Sequence, residues 1–142
     1  MKTVLVSGAM GSNMTISMQC GNHEIRMDQP KNAGGSDKGP TPPELLLASL
    51  AGCVGSIARI VAHQQKLNIK GMQFKAEGDF NPDKLLGKDT EDRAGFQQIR
   101  LEVSIDSDLN KEQQLAFLAE VERRCPIADN LLNLSTIDTQ LV

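Results

Sequence analysis

The chain has 142 residues, a net charge of −3, four Phe and neither Trp nor Tyr, so it offers neither the basic surface nor the stacking aromatics that nucleic-acid binding uses. Its length suits a single domain, 1–142, with a sizeable core. The N-terminus has too few apolar residues before Ser7 and Gly8 for a secretory leader, the uncharged run from Leu45 to Ala58 is shorter than the ~20 residues of a membrane span, and three cysteines fit a reducing cytoplasm.

Residues 2–7 read as a strand and Gly8 to Asn13 as a turn. Met14, Ile16, Met18 and Cys20 then alternate with polar residues, the period-2 pattern of a half-buried strand on which Cys20 is core. Gly21 and Asn22 signal a tight turn, and Ile25 and Met27 carry a third strand of an antiparallel meander. Between residues 30 and 41 helix and strand breakers are too dense for a regular element. Thr41 is a fitting N-cap, with Pro42 and Pro43 suited to the first turn of a helix that runs to about Lys66. On that helix Leu46, Leu50, Cys53, Ile57 and Ile60 recur at spacings of four and three, an apolar seam with Cys53 in it. Ala48, Ala51, Gly52, Gly55 and Ser56 flank the seam and admit a second backbone. A helix apolar on so many faces needs cover nearly all round, which a symmetric dimer supplies.

Met72, Phe74 and Ala76 alternate as a strand; residues 81–95 form a charged excursion with one helical turn from Pro82 to Leu86; Ile99, Leu101, Val103 and Ile105 alternate again. Asp108 or Asn110 caps a second amphipathic helix with Leu115, Leu118 and Val121 as its core face. Pro126 ends it and opens a short third helix from Ile127 to Leu132, and residues 137–142 read as a last strand. The order β-β-β-α-β-β-α-α-β is an α+β fold.

Two thiols carry the chemistry. Cys125 precedes Pro126 at the N-cap of the short helix, where unpaired N–H groups favour a thiolate and Arg123 and Arg124 add positive charge; it reads equally as a small apolar residue closing a helix–helix turn. Cys53, mid-helix, gains nothing from the dipole, and apolar burial would raise its pKa and leave it inert. To act as a nucleophile it needs a cation and a base brought by the fold, and Arg26, Arg59, His63 and Arg93 are the candidates. The segment from Gly34 to Gly39 lacks the Lys-Ser/Thr ending of a nucleotide loop, His23 and His63 have no metal-site spacing with a cysteine, and no Gly-X-Ser-X-Gly occurs, so neither cofactor nor metal is expected.

The stretch Gly39-Pro-Thr-Pro-Pro-Glu-Leu-Leu-Leu-Ala-Ser-Leu-Ala-Gly-Cys53 resembles the signature of the OsmC/Ohr family of osmotically inducible and organic-hydroperoxide-resistance proteins. Arg124-Cys125-Pro126-Ile-Ala-Asp-Asn-Leu is similar to that family's second Cys-Pro motif, and Arg93-Ala-Gly-Phe96 and the glycine pair before the helix also match. The resemblance implies an intertwined homodimer, each subunit a curved antiparallel sheet wrapped on a long central helix, with active sites at the interface. It implies a cytoplasmic antioxidant peroxidase of the oxidative stress response: Cys53 attacks a small organic hydroperoxide, becomes a sulfenic acid and condenses with Cys125 to a disulfide that a dithiol reductant reopens. Counted back from Cys53, the position of those members' catalytic Glu holds Pro43, with Glu44 one residue late; of the arginines before the helix that could meet the thiolate, the chain has Arg26 alone. The residues leave open a second function, a non-enzymatic dimer that binds a small apolar or electrophilic ligand between subunits, and a third in which the thiols only pack.

Overall fold

The computed structural model describes residues 1–142, which form two compact units, Met1–Leu46 and Leu47–Val142. In the first, β1 (Val6–Met10), β2 (Ile16–Cys20) and β3 (His23–Met27) make an antiparallel sheet in that order, with Ile16 opposite both Met10 and Met27. The first strand lies later than residues 2–7, because the residues that pair with β2 are Val6 to Met10 rather than the apolar run before them. Every residue of β1 is exposed.

The loop after β3 is organised by one carboxylate. Asp28 is buried, 1% exposed, and accepts from the Thr15 hydroxyl at 3.0 Å and from the backbone N–H groups of Gln29, Lys38 and Ser36 at 2.8, 3.2 and 3.4 Å. Gly35 passes so close that a Cβ there would meet the Gln29 carbonyl oxygen at 1.9 Å. The loop ends in a capping box, in which the Thr41 N–H and hydroxyl donate to Glu44 Oε2 at 2.7 and 2.9 Å.

Helix α1 (Pro42–Gln64) follows. It closes through Lys66, whose φ of 55° places it in the left-handed region, with Leu67 N–H donating to the Ala62 carbonyl and Lys66 N–H to that of His63. The uncharged run that looked too short for a span thus sits in a 23-residue helix, long and apolar enough by length and composition to cross a membrane. A core helix passes the same test, and one stripe of α1 is core: Leu50, Val54, Ala58, Val61 and Ala62 are buried. This stripe is rotated from the expected seam. Leu46 and Ile60 are 40% and 46% exposed, and Cys53 and Ile57 are half-buried at the margin. The small side chains from Val54 to Ala62 let other elements come close, and packing density outweighs side-chain size.

In the second unit β4 (Ile69–Asp79) and β5 (Gln98–Ser107) pair antiparallel, Phe74 opposite Val103, and make a separate sheet of two strands. Met72, Leu101 and Ile105 face the core, while Arg100 bridges Glu77 and Asp79 on the outer face. Between the strands, Phe96 meets Phe80 edge-on. Helix α2 (Lys111–Arg123) starts at Asn110, not Asp108, in a capping box with Gln113. Its core residues are Phe117 and Val121, with Leu118 partly buried; Leu115, expected inside, is 56% exposed. Helix α3 (Pro126–Leu132) follows directly. The expected last strand does not form: residues 133–142 take no regular structure, and Ile137 and Leu141 are 88% and 102% exposed. Alternation supplies a strand's two faces, but a strand also needs a neighbour to pair with.

Candidate functional site

The second unit brings the two motif thiols together. Cys53, on the half-buried margin of α1, and Cys125, at the turn between α2 and α3, are free thiols with their Sγ atoms 2.8 Å apart. Core packing brings the two elements together. Val54, Ala58 and Val61 of α1 share one buried cluster with Phe117, Val121 and Cys125 itself, so the turn at the end of α2 is carried onto α1. Cys125 is only 1% exposed, whereas Cys53 keeps part of its surface open.

Cys125 is the N-cap of α3, and its sulfur accepts the Ala128 N–H at 3.4 Å with Pro126 in the first helical position. The Ile127 N–H favours the Cys53 thiolate. Burial pushes the Cys53 thiol up, the hydrogen bond shared with Cys125 pushes the same way, and the Ile127 N–H pulls against both without prevailing. A thiol so placed is less ionised at neutral pH than a free one.

Arg59, Arg93, Arg26 and Glu44 are each engaged elsewhere within one chain. Arg59 Nη1 donates to the Ile69 carbonyl at 2.8 Å, bracing the end of α1 against the start of β4. Arg93 Nη2 donates to the Phe96 carbonyl in the β4–β5 loop. Arg26, on β3, pairs with Glu24 at 3.3 Å and is exposed. Thr41 donates to Glu44 through its N–H and its hydroxyl, and both bonds hold the Glu44 carboxyl below its ordinary range. His63 lies exposed in the last turn of α1.

Two features escaped the sequence. One is the Asp28 hub, signalled faintly by an Asp before a glycine-rich loop. The other is a bond from Arg124 Nη1 to Gln64 Oε1 at 2.9 Å, linking residues sixty positions apart that no periodicity relates.

A thiol pair at this separation, one sulfur reachable and the other buried behind it, has the geometry for reversible disulfide chemistry. Residues 35–140 match the family model described as OsmC-like protein. The chain belongs to the OsmC-like family. Among solved structures, the OsmC-like protein of Mycoplasma pneumoniae is similar over 94% of this chain and 89% of its own, at 22% identity and a TM-score of 0.81. An organic hydroperoxide resistance protein OsmC from Legionella pneumophila is similar over 92% and 89%, at 23% identity and a TM-score of 0.68. One from Elizabethkingia anophelis, with thiocyanate bound, covers 91% and 87% at 17% identity and a TM-score of 0.69. At these identities the structures share the fold of this OsmC-like chain. No curated protein matched it.

Proposed function

We propose that this OsmC-like chain is a cytoplasmic, thiol-dependent peroxidase that reduces small organic hydroperoxides through Cys53 and Cys125, with a dithiol as reductant. The observation that carries this reading is the 2.8 Å contact between the two sulfurs, one open and one buried. Membership of a family whose solved relatives include organic hydroperoxide resistance proteins supports it. Cys53 thiolate attacks the terminal peroxide oxygen, the O–O bond breaks, and the alkoxide leaves and takes a proton as the alcohol. Cys125 sulfur then attacks the Cys53 sulfenic acid, the S–S bond forms and water departs; the dithiol returns both thiols and is itself oxidised. Ionisation of Cys53 falls to a cation among Arg26, Arg59 and Arg93, or to the Glu44 carboxylate as base, each of which would give up a bond it makes in one chain.

In this reading residues 1–142 work as one domain of an intertwined homodimer. Support comes from the uncovered apolar side chains of a single chain, Leu46 and Ile60 on α1 and Leu134, Ile137 and Leu141 after α3. The test is turnover of cumene hydroperoxide with dithiothreitol. The native chain should consume peroxide, Cys53→Ser should lose turnover more than ~100-fold, and Cys125→Ser should form no internal disulfide and turn over only as fast as dithiothreitol reduces the Cys53 sulfenic acid directly. A native chain that consumes none contradicts the reading.

One observation favours the alternative, an OsmC-like dimer that binds a small apolar or electrophilic ligand without turnover: burial raises the Cys53 pKa while Glu44 is held in a cap. In that case Cys53→Ser binds a non-oxidising probe such as cumyl alcohol as tightly as the native chain.

A further inference from the structure

The turn that carries Cys125 changes direction between two helices, with Cys125 in the buried cluster and Ile127 and Ala128 packed against it. Arg124 closes α2 with its N–H on the Val121 carbonyl, Cys125 N–H donates to the Glu122 carbonyl, and α3 beyond it is seven residues long with none buried. Arg124 sends its guanidinium across to α1. Nη1 donates to Gln64 Oε1 at 2.9 Å and lies 3.6 Å from Glu120 Oε1, and the Arg124 side chain is only 30% exposed. Glu120 is in turn gripped by Arg123 through Nε and Nη2, both at 2.9 Å. Gln64 is the last residue of the helix that holds Cys53, about three turns further on.

We propose that Arg124 is a positioning residue of the thiol pair: by bridging Gln64 at the end of α1 to Glu120 at the end of α2, it fixes the turn whose next residue is Cys125 and so holds that sulfur against Cys53. This rests on the reading of Cys53 and Cys125 as a redox pair. The apolar cluster around Val61 and Val121 takes in Phe117 and Val121 from the C-terminal half of α2. Packing of this kind resists separation but leaves the end of a helix free to fray and swing. A side-chain bond from the capping residue to the opposite helix removes that freedom where it matters, one residue from the sulfur. Preorganisation of this sort raises the effective concentration of one thiol at the other without touching either.

The test needs no peroxide. The full chain is equilibrated with glutathione buffers, in which the dithiol passes two electrons to glutathione disulfide, yielding the protein disulfide and two glutathione thiols. Arg124→Ala and Gln64→Ala should each lower the constant for closure about tenfold, a potential about 30 mV less negative. The double variant should fall no further than either single one, the mark of a shared interaction. Arg124→Lys, which keeps one donor for Gln64 Oε1, should recover most of the loss, and in that variant iodoacetamide should alkylate Cys53 at close to the native rate. If Arg124→Ala fails to fold, Gln64→Ala, at an exposed position, carries the test. A closure constant unchanged or raised in the single variants overturns the proposal, as does additive loss in the double one. A native chain that closes its disulfide in glutathione yet ignores cumene hydroperoxide overturns the peroxidase reading and leaves the bridge standing. A native chain that never closes it overturns both.

Discussion

Asp28 and Cys53 lie in different units, and each is an acidic side chain drawn out of water, one wholly and one in part. Desolvation acts on both in the same sense and raises the pKa. At Asp28 it is outweighed by donors: the N–H groups of Gln29, Lys38 and Ser36 and the Thr15 hydroxyl together bring the carboxyl below its ordinary 3.8. At Cys53 the single N–H of Ile127 is opposed both by burial and by the Cys125 thiol, and the net movement is upward from 9.0. The number and kind of donors fixes the sign of the shift. An acid surrounded by backbone N–H groups builds a loop, whereas an acid left short of donors keeps its proton until something more is brought to it.

The largest way to break this contrast is to empty the hub. Asp28→Ala leaves three N–H groups and the Thr15 hydroxyl without their acceptor, and should lower Tm at pH 7 on the order of 10 °C by thermal melt. Because the folded carboxyl titrates below its unfolded value, its stabilisation is fully present above the ordinary 3.8 and is lost as pH falls through the lowered value. The Tm gap between native and Asp28→Ala chains should therefore close on acidification below about pH 4. A gap that persists at low pH refutes the hub.

A smaller effect sharpens the other side. Cys125→Ala removes the second cause that raises the Cys53 pKa, so the alkylation of Cys53 at pH 8 should run severalfold faster, with its pH midpoint displaced downward. An upward displacement would mean that Cys125 stabilises the Cys53 thiolate rather than the thiol. The smallest effect calibrates both: Asn110→Ala removes the side-chain acceptor of the Gln113 N–H, an exposed bond of 2.9 Å, leaves the backbone bond from residue 110 to Gln113 Oε1, and should cost about 1 kcal/mol by denaturant unfolding. A loss there as large as that of Asp28→Ala would show that burial adds nothing to the hub.

The elements were legible where local chemistry decides them. Thr41 with Glu44 and Asn110 with Gln113 are caps readable from spacing, and Pro126 marks both the end of one helix and the start of the next. Alternation found β4 and β5 because their two faces meet different surroundings, core on one side and the Arg100 bridge on the other. The buried face of α1 was missed by about one position: the large residues of the seam marked Leu46 and Ile60, whereas close approach selects Val54, Ala58 and Ala62. The last strand was overread because alternation at Ile137 and Leu141 says nothing of a pairing edge. The thiol pair was read from its motifs and family likeness, since a contact seventy-two positions apart has no local signal. The Gln64–Arg124 bond, sixty positions apart, was invisible for that same reason, whereas the bonds of Asp28 are local and only faintly marked by an Asp before a glycine-rich loop.

The most direct test of the central claim is peptide mass mapping of the native chain after it meets one equivalent of cumene hydroperoxide, the thiols still free then being alkylated at low pH before digestion. The account requires the peptides of Cys53 and Cys125 to appear joined, two hydrogens lighter than their sum, while Cys20 carries the alkyl group. Recovery of all three cysteines alkylated, or a bridge that includes Cys20, would contradict it.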